Sequence, residues 1–450
     1  MPKPATAIIS DLHIGGGLTD PGDDHVFHHD QLVRLISDEL GKSVPGEKGE
    51  IELIINGDLF ELAQVRPELY AGGDYKTWSS EAESVTRVGV ILDGHANIFA
   101  AMKAFQKQGN RVTMAAGNHD VDLYWPAVQK RIRDAAGPVQ LDLGSTWYTR
   151  YDRRLQISHG HMEDPANRFE NWTDPILRPK NQLARLEMCP GTLFMLKIVN
   201  VLEKDYPFID NIKPITALAR LLWDKSKSEF AGVAWLLMKF MAQHPSTALN
   251  VNNSDPGEFH QNLKRLVEID SGMRQQVREV GEGVYGKSLS DEDVARFVAT
   301  EHTLLDFMMD VLRTSGLAGL KRLEPSVGGA LSVGSASGTL AIQKAGRIDE
   351  MEQLRSVAKS RFIDDHDCEV IVMGHTHQPD HQKFGKGCYY NPGSWTRYAD
   401  ISQQTSLTLD MLKDETKFPY QLNYVWVEMA ADGRLLSEMK PFEVEAGKPF

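Results

Sequence analysis

The chain has 450 residues, of which 41% are hydrophobic and 25% charged. This ordinary globular composition excludes collagen-like, coiled-coil and wholly disordered classes, and at roughly 100–200 residues per domain it allows several domains or one domain with a large insertion. The net charge of -13, from 49 basic and 62 acidic side chains, disfavours non-specific attachment to nucleic acid or anionic lipid, both of which need Lys and Arg.

No stable nucleic-acid partner is therefore expected. Three cysteines (Cys189, Cys368, Cys388) with no CxxC pair argue against a disulfide scaffold or a thiolate zinc site, and fit a reducing compartment. The opening MPKPATAIISDLH carries no secretory pattern. No apolar run approaches the roughly 20 residues that a bilayer-spanning helix needs. The expectation is a cytoplasmic protein without a transmembrane segment. Oligomeric state is not legible.

Along the chain, residues 5–10 (ATAIIS), 51–56 (IELIIN) and 111–116 (RVTMAA) read as buried strands, with helical patterns over 25–40 and 81–108 between them. This β-α-β-α-β order predicts a largely parallel sheet covered by helices. Residues 148–151 and 155–158 read as a hairpin that extends it. From 163 to 349 the pattern is helical. Apolar stripes run through Leu193, Leu196, Val199 and Leu202, then Leu218, Leu221 and Leu222, and Ser290 with Asp293 reads as a cap opening a further helix. The uncharged, Gly/Ser-rich residues 325–343 read as a loop or linker. Strand-like runs return at 369–373, 387–391, 422–428 and 434–439. The division is a core of residues 1–162 and 350–450, interrupted by a helical insertion or cap of 163–349.

Five polar motifs follow apolar runs: Asp11-Leu12-His13, Gly57-Asp58, Gly117-Asn118-His119-Asp120, Ser158-His159-Gly160-His161 and Gly374-His375-Thr376-His377. Loops at the carboxyl ends of strands are where open α/β sheets place ligands. Asp, His and Asn offer oxygen and imidazole donors without thiolate. That mixture suits Mn first, with Fe or Zn as alternatives. In a strand, residues i and i+2 share a face, so Asp11 with His13, and His375 with His377, could each grip one ion. Two close dications require a shared anion, and Asp58 is the natural bridge. The bland alternative, five unrelated polar turns, does not explain why each follows a strand.

These motifs resemble those of the calcineurin-like metallophosphoesterase superfamily, over about residues 5–162 and 365–442. The resemblance implies an α/β fold, a sandwich of two mixed β-sheets flanked by helices, with the helical insertion outside it. It also implies a dinuclear site, one ion held by Asp11, His13, Asp58 and His377, the other by Asp58, Asn118, His159 and His375. The implied activity is hydrolysis of a phosphodiester or pyrophosphate bond by a hydroxide bridging two divalent ions, with His119 protonating the leaving group. Many members place an Asp three residues after the bridging Asp to pair with this histidine. Here that position is Glu61, and Asp120 either orients His119 or caps the following helix. His161 reads either as a contact to substrate or ligands or as a partly buried loop histidine.

The stretch Gly57-Asp58-Leu59-Phe60-Glu61 is similar to one in the UDP-2,3-diacylglucosamine hydrolase branch, as is Asn391-Pro392-Gly393-Ser394-Trp395. That branch usually has Arg where His119 stands and is much shorter. The reading is a divergent phosphodiesterase or pyrophosphohydrolase acting on a small phosphate ester, with nucleotide- or lipid-linked substrates as one option. A phosphomonoesterase, or a metal-binding scaffold without turnover, is the alternative. Arg150, Arg153, Arg154, Arg168, Arg178, Lys180 and Arg185 flank the motifs. Arg168, Arg397 and His161 are the substrate-contact candidates, since a guanidinium fork matches phosphate oxygens. His25, His28 and His29 read as an exposed helix face rather than as ligands.

Overall fold

The computed structural model describes residues 5–18, 20, 23, 28–42, 50–65, 80–164, 167–189, 191–192, 195–196, 211–213, 290–291, 350–400 and 414–446. The apolar run ATAII becomes strand β1 (Ala5–Ile9), and IELIIN becomes β2 (Ile51–Asn56). Every residue of both is buried, as expected of strands covered on two faces. β3 (Arg111–Ala115) and β4 (Gln140–Asp142) follow in parallel, while β10 (Tyr420–Met429) and β11 (Leu435–Glu445) add antiparallel strands on the far side of β1. The first sheet therefore runs β11-β10-β1-β2-β3-β4.

The hairpin of β5 (Tyr148–Arg150) and β6 (Leu155–Ser158) forms as the sequence predicts, but it does not extend this sheet. β6 pairs in parallel with β7 (Val370–Met373), which pairs in parallel with β9 (Gly387–Asn391), and β8 (Asp380–Phe384) closes that edge antiparallel. The second sheet is β8-β9-β7-β6-β5. Its central pairing joins residues more than 200 positions apart, which no local pattern could reveal.

The two mixed sheets pack face to face. Ile8, Ile54 and Val425 of the first meet Ile157, Val372 and Tyr390 of the second in one buried cluster. Alternation along the strands turns Ala7, Ile9, Leu53 and Ile55 the other way. They meet helices α1 (His29–Arg34, continuing as a π-helical turn Leu35–Leu40), α2 (Glu81–Gly94), α3 (Ala96–Lys107) and α4 (Pro126–Ala136). Helix α5 (Glu350–Asp364) covers the outer face of the second sheet with Leu354 and Ala358.

Several expectations need correction. Residues 81–108 form two helices, because His95 leaves helical geometry (φ -123°, ψ 37°) and its Nε2 donates to buried Asp23 at 2.5 Å. His28 is not on an exposed face; it is 1% exposed and packs edge-on to Tyr420. His29 is half-buried against His95, and His25 lies outside the described residues. Phe169, Trp172, Ile176, Leu186 and Cys189 join the main core, and Ile176–Leu177 pairs antiparallel with Arg185–Leu186. The start of the 163–349 stretch is thus packed with the sheets rather than helical. The expected stripes at 193–202 and 218–222 fall mainly or wholly outside the described residues, as do residues 325–343 and most of the helix read after Ser290.

One buried ion pair ties the sheets together at the end remote from the motifs. Arg150 donates through Nε and Nη2 to Glu52 at 3.0 and 2.9 Å, and Thr113 Oγ1 adds a third donor at 2.7 Å. Burial alone would raise the Glu52 carboxyl, but the Arg150 bonds outweigh it and lower it from the ordinary value of 4.5. Glu52→Gln should cost about 3 kcal/mol at neutral pH, the low end for breaking a buried pair, because Asp142 remains 3.1 Å from Arg150. A depressed folded-state pKa stabilises above the unfolded value and loses that contribution in acid. Urea denaturation should therefore show the gap between parent and variant closing as pH falls below about 4.5. A gap independent of pH would contradict this.

Candidate functional site

The five motifs lie at strand ends on one side of the sandwich and are stitched to one another by backbone. Leu12 and His13 amides donate to Asp58 O at 2.8 and 3.0 Å, Gly374 N donates to His159 O at 2.9 Å, and Trp395 N donates to Asp11 O at 2.9 Å. Asn56 Nδ2 crosses from the first sheet to Ser158 O at 2.9 Å. Gly57 and Gly117 are required here. A Cβ on Gly57, already at φ +81°, would meet the His159 ring, and one on Gly117 would meet the Asp58 carboxylate.

Asp11 and His13 do not lie on a strand. Both follow β1 with left-handed backbone (φ 55° and 49°), as do Asp58 (50°), His375 (73°) and His377 (60°). The strand argument for their shared face fails, and the turn delivers them instead. Clustered left-handed non-glycine residues are costly and typical of functional sites.

Three overlapping groups of side chains have ligand-type atoms within 4.8 Å of one another: Asp11, His13 and His377; His13, Asp58 and His119; and Asp58, His159 and His375. His13 links the first two and Asp58 links the last two. Asn118 is 2% exposed, and its Oδ1 has no hydrogen-bond partner among the described residues. Six of the seven sequence-predicted ligands, Asp11, His13, Asp58, His159, His375 and His377, come together in these groups; Asn118 is next in the chain to His119, whose amide donates to Asp58.

The imidazole tautomers follow from their partners. Nδ1 of His159 lies 2.8 Å from Asn56 O, which can only accept, so Nδ1 carries the proton and Nε2 turns its lone pair to Asp58 Oδ2 at 3.0 Å. His13 Nδ1 donates to Glu61 Oε2 at 2.7 Å, leaving its Nε2 3.0 Å from His377 Nε2. Lone pairs facing carboxylate and imidazole at these distances repel unless a cation or proton intervenes. This donor set fits divalent metal, and the outer partners are those that orient metal-binding histidines.

The titration behaviour expresses the same demand for positive charge. Burial would raise Asp58, but His159 and His119 hold it well below the usual carboxylate range. Burial would lower His159, but Asp58 and Asp11 raise it to about 9. Likewise, burial is outweighed at His119, which Glu61 and Asp58 push up to about 10.

Glu61, not Asp120, supports His119. Its carboxylate accepts from His119 Nδ1 and His13 Nδ1, both at 2.7 Å. The extra methylene lets one side chain reach two rings. Asp120 makes no cap; it accepts from Gly117, Asp58 and Phe60 amides at 2.9, 3.1 and 3.4 Å and so locks two motif loops together. Burial and the nearby Asp58 carboxylate push it up to about 8.

The substrate-contact candidates separate. His161 is buried at 2% exposure against Trp172, its ring nitrogens lack hydrogen-bond partners among the described residues, and burial together with His159 lowers its pKa strongly. Arg397 is engaged by Phe418 O, Glu445 and the Tyr420 ring. Arg168 is exposed and donates through Nε to Met162 O, next to Asn167, which contacts Asn118. Arg150, Arg153, Arg154 and Arg178 each pair with an acidic residue. Two residues escaped the sequence reading. Asp164 Oδ2 lies 3.2 Å from His375 Nε2, and Asn167 touches Asn118. Asp164-Pro165-Ala166-Asn167 reads as a turn, with nothing in its spacing to aim it inward.

No family model matches the chain, and no curated protein matches it. Among solved structures, wild-type Vps29 from Entamoeba histolytica complexed with Zn2+ is similar at 20% identity and a TM-score of 0.10. The match covers 20% of this chain and 47% of that one, less than half of its length. Among the described residues no helix is long and apolar enough to cross a membrane.

If the cluster binds cations, Mn2+ should stabilise the fold by about 2.7 kcal/mol at one hundred times its dissociation constant. Thermal melting should show this shift in the parent and not in Asp58→Ala. An unchanged parent melting temperature across a wide Mn2+ range would contradict it.

Proposed function

We propose that the protein is a dinuclear metal-dependent phosphoesterase that hydrolyses a phosphodiester or pyrophosphate bond. The observation that carries this is the place of Asp58. It shares one group with His13 and His119 and another with His159 and His375, as a carboxylate bridging two ions must. Asp11, His13, Asp58 and His377 would hold one ion, and Asp58, Asn118, His159 and His375 the other. Two divalent ions in these positions would supply acidified water and neutralise charge on the phosphate oxygens.

The chain's own residues provide the rest. His119 is the proton donor to the leaving oxygen. Its Nδ1 is held by Glu61, which leaves Nε2 for that task. The His119 side chain is 15% exposed where Asp58 and Glu61 are 1%, so it alone of the three faces an incoming ester. Arg168 is the favoured phosphate contact, because it is exposed and next in the chain to Asn167, which contacts Asn118. Buried His161 packs against His159 and Trp172. Arg397 braces β10 and β11 through Tyr420 and Glu445, so Arg168 is preferred to it.

The stretches that resemble the lipid-linked branch have structural work. Asn391 Nδ2 donates to Gly374 O at 2.9 Å and Thr376 Oγ1 at 3.0 Å, and Ser394 N donates to His377 O at 3.2 Å. Glu61 orients His13 and His119. Such bracing serves any ester substrate, so nucleotide- and lipid-linked diphosphates belong on the substrate panel without precedence.

With Mn2+, the parent should hydrolyse bis-p-nitrophenyl phosphate faster than p-nitrophenyl phosphate. Asp58→Ala should lower turnover at least about a thousandfold, since metal charge stabilisation is worth several kcal/mol. His119→Ala should cost about 10²–10⁴ on alkyl esters and far less on p-nitrophenyl esters, whose leaving group needs no proton. Full activity in Asp58→Ala would overturn the proposal, and equal losses on both ester classes would overturn the acid role.

A further inference from the structure

The two halves of the cluster are braced by different carboxylates. Glu61 serves the His13 side. On the other side, Asp164 Oδ2 accepts from Asn167 Nδ2 at 2.5 Å and lies 3.2 Å from His375 Nε2. Asn167 Oδ1 in turn accepts from Asn118 Nδ2 at 3.2 Å. The polarity of this chain is fixed by chemistry. A carboxylate only accepts, so Asn167 must present its NH₂ to Asp164 and its carbonyl oxygen to Asn118. Asn118 must then answer with its own NH₂, which leaves its Oδ1 as the atom turned away from Asn167. That Oδ1 is buried and has no hydrogen-bond partner among the described residues.

The same Asp164 oxygen accepts from His375 Nε2–H, which leaves the lone pair on Nδ1. One carboxylate thus sets both the amide orientation of Asn118 and the tautomer of His375. Without it, an Asn118 flipped by 180° would aim an NH₂ at the cation, and His375 could carry its proton on the wrong nitrogen. Neither error is corrected by any other contact of these two side chains among the hydrogen bonds described above.

Resting on the dinuclear reading, we propose that Asp164 and Asn167 are positioning residues for one ion only, the one assigned to Asp58, Asn118, His159 and His375. Asn167 acts through Asn118, and Asp164 acts through Asn167 and His375. Outer partners of metal ligands typically contribute 10–100-fold in metal affinity.

The test is calorimetric titration of metal-free full-length protein with Mn2+, read as two binding steps. In the parent both steps should be present; fewer than two would sink the dinuclear reading, and this inference with it. Asn167→Ala should weaken one step 10–100-fold and leave the other within about twofold. Asp164→Ala should weaken the same step by at least as much. Glu61→Gln should weaken the other step, so that Glu61→Gln/Asn167→Ala loses affinity in both. Asn167→Leu, which keeps the side-chain volume without donor or acceptor, should match Asn167→Ala and guards against a simple packing loss. Circular dichroism melts in chelator show that each variant folds. A two-step parent with unchanged steps in Asn167→Ala, or with both steps weakened alike, overturns the positioning role while leaving the dinuclear reading intact.

Discussion

The whole arrangement depends on one electrostatic constraint. Asp58 is a fully buried carboxylate that abuts His159 at 3.0 Å and receives the His119 amide at 2.9 Å, with His13 3.9 Å away and Asp120 close behind. A buried carboxylate is costly unless positive charge compensates it. Three neighbours register that charge: His159 and His119 rise, and Asp120 is driven up. Protons on His159 and His119 meet the demand partially. In the proposed reading a pair of cations at Asp58 would meet it further and would face the lone pair on His159 Nε2 and the Asn118 Oδ1.

The fold supplies the rigidity this requires. All seven proposed ligands stand past strand ends, in loops tied to one another by backbone bonds. Asp11, His13, Asp58, His375 and His377 hold left-handed backbone, which disfavours L-residues by about 1–2 kcal/mol each. That cost is tolerable because each loop is over-determined by the others, and because two sheets closed by a shared core cannot slide. The Glu52–Arg150 pair at the opposite end fixes the same sheet interface. The site is therefore a property of the sandwich as a whole, not of any loop alone.

How much was legible in the sequence follows from which interactions are local. The strands carrying the motifs were visible, because runs such as IELIIN and VIVM are buried on both faces. The candidate ligand residues stood out because Asp, His and Asn are unusual directly after such runs. The sheet that receives the 148–158 hairpin was not visible, since its partner β7 lies more than 200 residues away. The break at His95 was hidden for a similar reason: it depends on a bond to Asp23, not on a helix-stop signal. His28 misled because a polar residue in a polar stretch looks solvated until Tyr420 is placed over it. Glu61 was visible as a position but not as a reach, and its two-ring contact emerged only in three dimensions. Asp164 and Asn167 had no signal at all beyond a turn.

The most direct measurement is an anomalous difference map from crystals of the protein grown with Mn2+. Two peaks about 3.5–4 Å apart, flanking the Asp58 carboxylate, are the predicted result. A single peak, or none, with Asp11, His13, Asn118, His159, His375 and His377 in their present places would contradict the account.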